Sequence, residues 1–160
     1  MSDAASQRIE QTDVFITRVF NAPRPVVFKF WTDPAQVAKW WGPIGYHNPR
    51  EDVQIDLRVG GVFQLRMADD AGTTDVWVRG RIVELVIPEV LAIHLDVPQP
   101  HALPPMEVRL RVQFHDHGDK TRITLHQGPF STTEGREHTI IGWSESFDEL
   151  DRQLPTTDSD

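Results

Sequence analysis

Cysteine is absent from all 160 residues, which removes disulfide frameworks, thiol nucleophiles, thiolate metal sites and thiol redox switches together. Long apolar runs are missing as well. The longest, such as Val90 to Leu95, fall far short of the roughly 18 residues that a membrane-spanning helix needs. Basic residues are outnumbered, 16 Lys and Arg against 24 Asp and Glu, for a net charge of −8. The clustered cations that give affinity for phosphate backbones or anionic lipid are therefore lacking, and neither nucleic acid nor membrane is expected as a partner. Residues 1–11 show no basic segment followed by an apolar one, so no export signal is read and a cytoplasmic location is expected. The HExxH, P-loop, GxGxxG and GxSxG patterns are all absent. Gly142-Trp143-Ser144-Glu145-Ser146 lacks the closing glycine and falls inside a helical pattern. No cofactor and no catalytic residue are assigned.

What is present is a core. The chain is 39% hydrophobic and holds eight Phe, five Trp and one Tyr, enough for one globular domain. Half of the net charge lies at the two ends, with Asp3, Glu10 and Asp13 against Arg8, and Asp151, Asp158 and Asp160 against Arg152. The acidity is thus not one patch aimed at a basic partner. Residues 1–13 and 155–160 are read as tails around a domain over 14–154.

Val14 to Phe20 is rich in β-branched and aromatic residues and reads as a strand ending at Asn21-Ala22-Pro23. Two short helices follow, Arg24 to Trp31 and Ala35 to Trp41. The second is capped by Asp33 with Pro34 just inside it and stopped by Gly42-Pro43. From Val53 the period becomes two. Strands are expected over Val53 to Val59, Phe63 to Met67, Val76 to Leu85, Val90 to Val97, Glu107 to Phe114 and Arg122 to His126, joined by glycine-bearing turns. Such an order builds an antiparallel meander. The proline-rich link from Pro98 to Pro105 is expected to run extended. Ile140, Trp143, Phe147, Leu150 and Leu154 then recur at spacings of three and four, the stripe of a long last helix. Burying those five side chains on one face of the sheet contributes on the order of 10 kcal/mol before entropy is subtracted.

The expected fold is α+β, a curved antiparallel sheet of about seven strands wrapped around a long C-terminal helix, with two short helices after strand one. Particular blocks carry a likeness: Thr17 to Pro23, Trp31-Thr32-Asp33-Pro34, Trp40-Trp41-Gly42-Pro43, Asp56 to Gly61, Pro88 to Leu91 and Gly142-Trp143. In this order they resemble the START-like (SRPBCC) superfamily and its helix-grip fold, in the branch of activator of heat-shock-protein-ninety ATPase homologues. The likeness implies an elongated cavity between sheet and helix that holds a small hydrophobic molecule. It does not imply one activity, because relatives include carriers, aromatic polyketide cyclases and co-chaperone domains.

The reading adopted is non-catalytic binding of a small hydrophobic or aromatic ligand, lined by Trp41, Phe63, Leu65, Val78, Ile93, Val112, Trp143 and Phe147. One alternative is a cyclase- or hydratase-type enzyme in which His94 or an arginine polarises a carbonyl. Another is a co-chaperone-like module acting on a chaperone ATPase; a homodimer is left open. Adjacent residues on a helix point about 100° apart, so Trp40 and Trp41 cannot both enter one pocket head-on. Gly142 in mid-helix implies either close packing or room for something. His115 and His117 beside a turn make a poor metal site without further ligands, and no metal is assigned. His94 and His126 fall on the outward parity of their strands. Arg79 and Arg81 share a face with Trp77, of interest only if that face is concave.

Overall fold

A computed structural model describes residues 13–73, 75–97, 106–130 and 132–155. Strand β1 (Val14–Phe20) leads through Pro23 into α1 (Arg24–Thr32), and Asp33 caps α2 (Pro34–Val37) by accepting from the Ala35 amide. The helical pattern expected to reach Trp41 breaks after α2 into turns. Two elements follow that the alternation does not announce, the two-residue β2 (Tyr46–His47) and a 3-10 turn over Arg50–Asp52. Then come β3 (Gln54–Ile55), β4 (Val62–Asp69), β5 (Asp75–Val86), β6 (Val90–Val97), β7 (Met106–His117), β8 (Lys120–Gly128) and the last helix α3 (Thr133–Gln153). The expected link from Pro98 to Pro105 lies outside the described residues, as do most of the residues read as tails.

All strand pairs are antiparallel. The order across the sheet is β1-β8-β7-β6-β5-β4-β2, with β3 pairing β4, so the first and last long strands lie side by side. Inward residues alternate as the period of two requires. Val108, Leu110, Val112 and Phe114 of β7 and Ile123 and Leu125 of β8 are each 2% exposed or less. The register slips between Ile82 and Glu84, a bulge that sharpens the curl of β5 and returns Leu85 to the inner face. The curved sheet grips α3, which is about 31 Å long for its 21 residues. Trp143, Phe147, Leu150 and Leu154 of its stripe are buried, and Ile140 packs partly against the same core.

The strand expected over Val53 to Val59 is cut to two residues. The chain turns back on itself instead: the Arg58 amide donates to the Asp56 carbonyl, and Gly61 donates to Arg58. Gly60 adopts φ +87°, and a Cβ on Gly61 would collide with the Asp56 carbonyl, so this turn requires both glycines. Leu57 and Val59, apolar by alternation, are exposed.

Asp13 and Asp151 are not loose terminal charges. Asp13 is buried with its carboxylate 2.7 Å from His126 Nε2. Asp151 and Asp148 both accept from Arg18 of β1, fastening the edge strand to α3.

Candidate functional site

Aromatic rings fill one end of the space between sheet and α3. Trp31 stacks on Trp143 at 5.6 Å between centroids and meets Trp40 edge-on at 4.8 Å, while Phe147 packs against Phe20. Such arrangements add to simple burial because ring edges and faces carry opposite partial charge. Trp40 donates its indole N–H to the Phe30 carbonyl at 2.8 Å. Trp40 turns into this packed end and Trp41 lines the other, but neither lies on a helix and both border a second groove.

At that other end the helix stands over a cavity of about 380 Å³, within the range of small-molecule sites. Its floor is the inner face of the sheet at Met67, Val76, Val78 and Leu95. One wall is the turn through Trp41, Gly42, Pro43 and Tyr46, and the roof is α3 from Gly135 to Ser146. The roof is low in bulk because Gly135, Thr139, Gly142 and Ser146 recur at spacings of four, three and four. A Cβ at Gly142 would meet nothing within 4 Å. Of the two meanings of a mid-helix glycine, the structure selects room over close packing.

The wall is pinned to the roof. Ser146 Oγ accepts from the Gly42 amide and Glu145 Oε1 from the Ile44 amide, both at 3.0 Å, so consecutive residues of α3 hold one turn. Gly42 has φ +110°, a conformation that side chains resist, and a Cβ there would press on Met67 Sδ. On the far side of the turn lies a second, polar groove of about 430 Å³ with Lys39, His47, Glu145, Glu149 and Arg152. Hydrogen bonds from Gln153 and Arg152 hold the Glu149 carboxyl below the usual carboxylate range.

Inside the cavity, polar groups are few. Gln127 is 5% exposed and accepts the Trp143 indole N–H on Oε1 at 2.7 Å. Ser146 and Thr139 add hydroxyls, the latter donating to the Gly135 carbonyl. Tyr46 and His138 complete the polar lining, His138 from an exposed position on α3. No Asp, Glu, Lys or Arg is among the described residues that line it.

Of the residues picked from sequence, Trp41, Val78 and Trp143 meet at this cavity. Phe63, Leu65, Ile93, Val112 and Phe147 are buried core beyond its lining. Sequence reasoning missed Gln127, Met67, Leu95 and Tyr46. Gln127 had a usable signal, a polar residue continuing the inward parity of Ile123 and Leu125.

The carbonyl-polarising candidates are elsewhere. His94 is exposed on the convex face, 3.3 Å from Glu107. Arg79 lies over the Trp77 ring on that face at 4.7 Å, and Arg81 donates to the Gly60 carbonyl. Glu84 pairs with Arg111 and Arg109 rather than with either of those arginines, and the Arg111 hydrogen bond holds its carboxyl below the ordinary range. His115 is half-buried and hydrogen-bonded to Thr124; burial, then the nearby Arg122, pushes its pKa down. Among the described residues, no group of three or more His, Asp or Glu is placed to hold a metal ion. No described helix is long and apolar enough to cross a membrane.

The family model for "Activator of Hsp90 ATPase homolog 1-like protein" matches residues 21–154. The chain belongs to this family. No curated protein sequence matches it. Among solved structures, a protein from Chromobacterium violaceum aligns with TM-score 0.79 at 22% identity over 89% of this chain and 96% of that one. The AHSA1 protein from Silicibacter pomeroyi aligns with TM-score 0.76 at 21% identity, over 88% and 96%. CalU16 from Micromonospora echinospora aligns with TM-score 0.61 at 22% identity, over 86% and 73%. At these identities the likeness is one of fold, a family scaffold on which activity is set by the site.

Proposed function

We propose that this protein binds, without transforming it, a small hydrophobic or aromatic molecule in the cavity between the sheet and the N-terminal half of α3. The observation that carries the reading is the cavity itself, a largely apolar space of about 380 Å³ kept open by small residues on the helix above it. Affinity would come from apolar area removed from water, about 25 cal/mol per Å² before the costs of association. Trp41 and Trp143 supply flat faces for ring contacts.

Both tryptophans belong to the lining, so a ligand would report on itself. Intrinsic fluorescence titrated with a panel of polycyclic aromatics and fatty acids should show a saturable change with the aromatic members. No change with any member up to its solubility limit would overturn the reading.

A further inference from the structure

Resting on that binding reading, we infer that the cavity selects an uncharged ligand bearing a hydrogen-bond acceptor, a ketone, quinone or ether oxygen, and that Gln127 is the residue that selects it. The argument begins with the Trp143 indole, which can only donate. Its bond at 2.7 Å therefore fixes which end of the Gln127 amide is oxygen, and the NH2 end is left for something else. Gln127 Nε2 has no hydrogen-bond partner among the described residues, although the side chain is 5% exposed and lines the cavity.

An amide donor that reaches the cavity with no partner among the described residues is satisfied there only by water or by a ligand, so the site favours whatever supplies an acceptor. Water can do so in the free protein. A pure hydrocarbon would displace that water and leave the donor stranded, whereas a carbonyl would replace it. Sites built around a polar group discriminate most strongly against the analogue that lacks its counterpart. The acceptor is expected to be uncharged because no lysine or arginine lines the cavity, its one histidine, His138, is exposed on α3, and a buried carboxylate without a cation is disfavoured.

Three probes of one shape separate the terms: fluorene, 9-fluorenone and fluorene-9-carboxylate, each measured against the whole chain by equilibrium dialysis. The ketone should bind about tenfold more tightly than the hydrocarbon, the scale of one well-made hydrogen bond. The carboxylate should bind no better than the hydrocarbon. Gln127→Met keeps the side-chain length and leaves sulfur as a weak acceptor for Trp143. It should bring the affinity ratio of ketone to hydrocarbon to about one, whatever happens to the two affinities themselves. The wild-type contrast stands even if that variant folds poorly. Equal binding of ketone and hydrocarbon, tighter binding of the carboxylate, or a preference that survives in a folded Gln127→Met would overturn the assignment of Gln127 while leaving the cavity reading intact. Failure of all three probes to bind would overturn both.

Discussion

The two halves of α3 face the same sheet, yet one is packed solid and the other stands clear of it. In the C-terminal half, Phe147 and Leu150 are 1% and 0% exposed, and Phe147 is locked among Phe20, Trp31 and Trp40. In the N-terminal half, Gly135, Thr139 and Gly142 face the cavity. Trp143 belongs to both, stacked on Trp31 on one side and lining the open space on the other. The contrast teaches that side-chain volume along one helix is enough to divide a single interface into a structural clamp and a chamber. Rigidity at one end then holds the geometry of the other, as a preorganised site requires.

The largest effect should come from cutting into the clamp. Phe147→Ala removes a fully buried ring and is expected to cost about 3–5 kcal/mol, read as a drop in the urea midpoint. A loss under about 1 kcal/mol would mean that this end is as loosely filled as the other. Gly142→Phe tests the chamber. The added ring has open space below it, and leaving glycine in mid-helix is itself favourable by up to about 1 kcal/mol. Stability should hold or rise while affinity for polycyclic aromatics falls more than tenfold, and unchanged affinity would show that ligands do not occupy this space.

Smaller changes sharpen the boundary. Ser146→Ala strips the acceptor from the Gly42 amide and should cost about 1–2 kcal/mol in unfolding experiments. Ligand dissociation should quicken as the wall turn loosens; an unaltered off-rate would show that the turn does not gate the cavity. The smallest effect is expected on the convex face, far from both halves. Glu84 has its folded pKa lowered by Arg111, so its contribution is present above the ordinary carboxylate pKa and is lost as the pH falls below about 4. Glu84→Gln should flatten that acid loss by under about 1 kcal/mol, the scale of solvent-screened pairs. Ligand binding should not change, and a shift in affinity would break the separation of the two faces.

Much of the scaffold is legible in the chain. Val90 to Val97 reads as a strand and is one, and the stripe from Trp143 to Leu154 predicts the buried face of α3. Alternation misleads at Leu57 and Val59, where backbone hydrogen bonds within the turn decide the path and the apolar side chains stay exposed. The chamber is harder to read. Period and parity say that Phe63, Leu65, Ile93 and Val112 point inward, as they do, but not which inward residues lie under bulk and which under space. That division depends on the small residues of α3 set against strands as distant in sequence as Met67 is from Ser146. Gln127 and Gly142 were its local traces, one a polar group on an inward position and the other a helix breaker kept in mid-helix.

The pairing of β1 with β8, from Val14 opposite Gln127 to Phe20 opposite Thr121, also governs assembly. Strand one has no sheet neighbour until strand eight, which begins about a hundred residues later, has left the ribosome. Phe20, Phe28 and Trp31 therefore wait for Phe147, Phe114 and Trp143 to be made, the kind of exposure that invites aggregation. Closure comes last, when α3 arrives and Arg18 meets Asp148 and Asp151. The chamber in this sense has no roof until α3 is made, and is absent from any nascent chain that stops before Gly135.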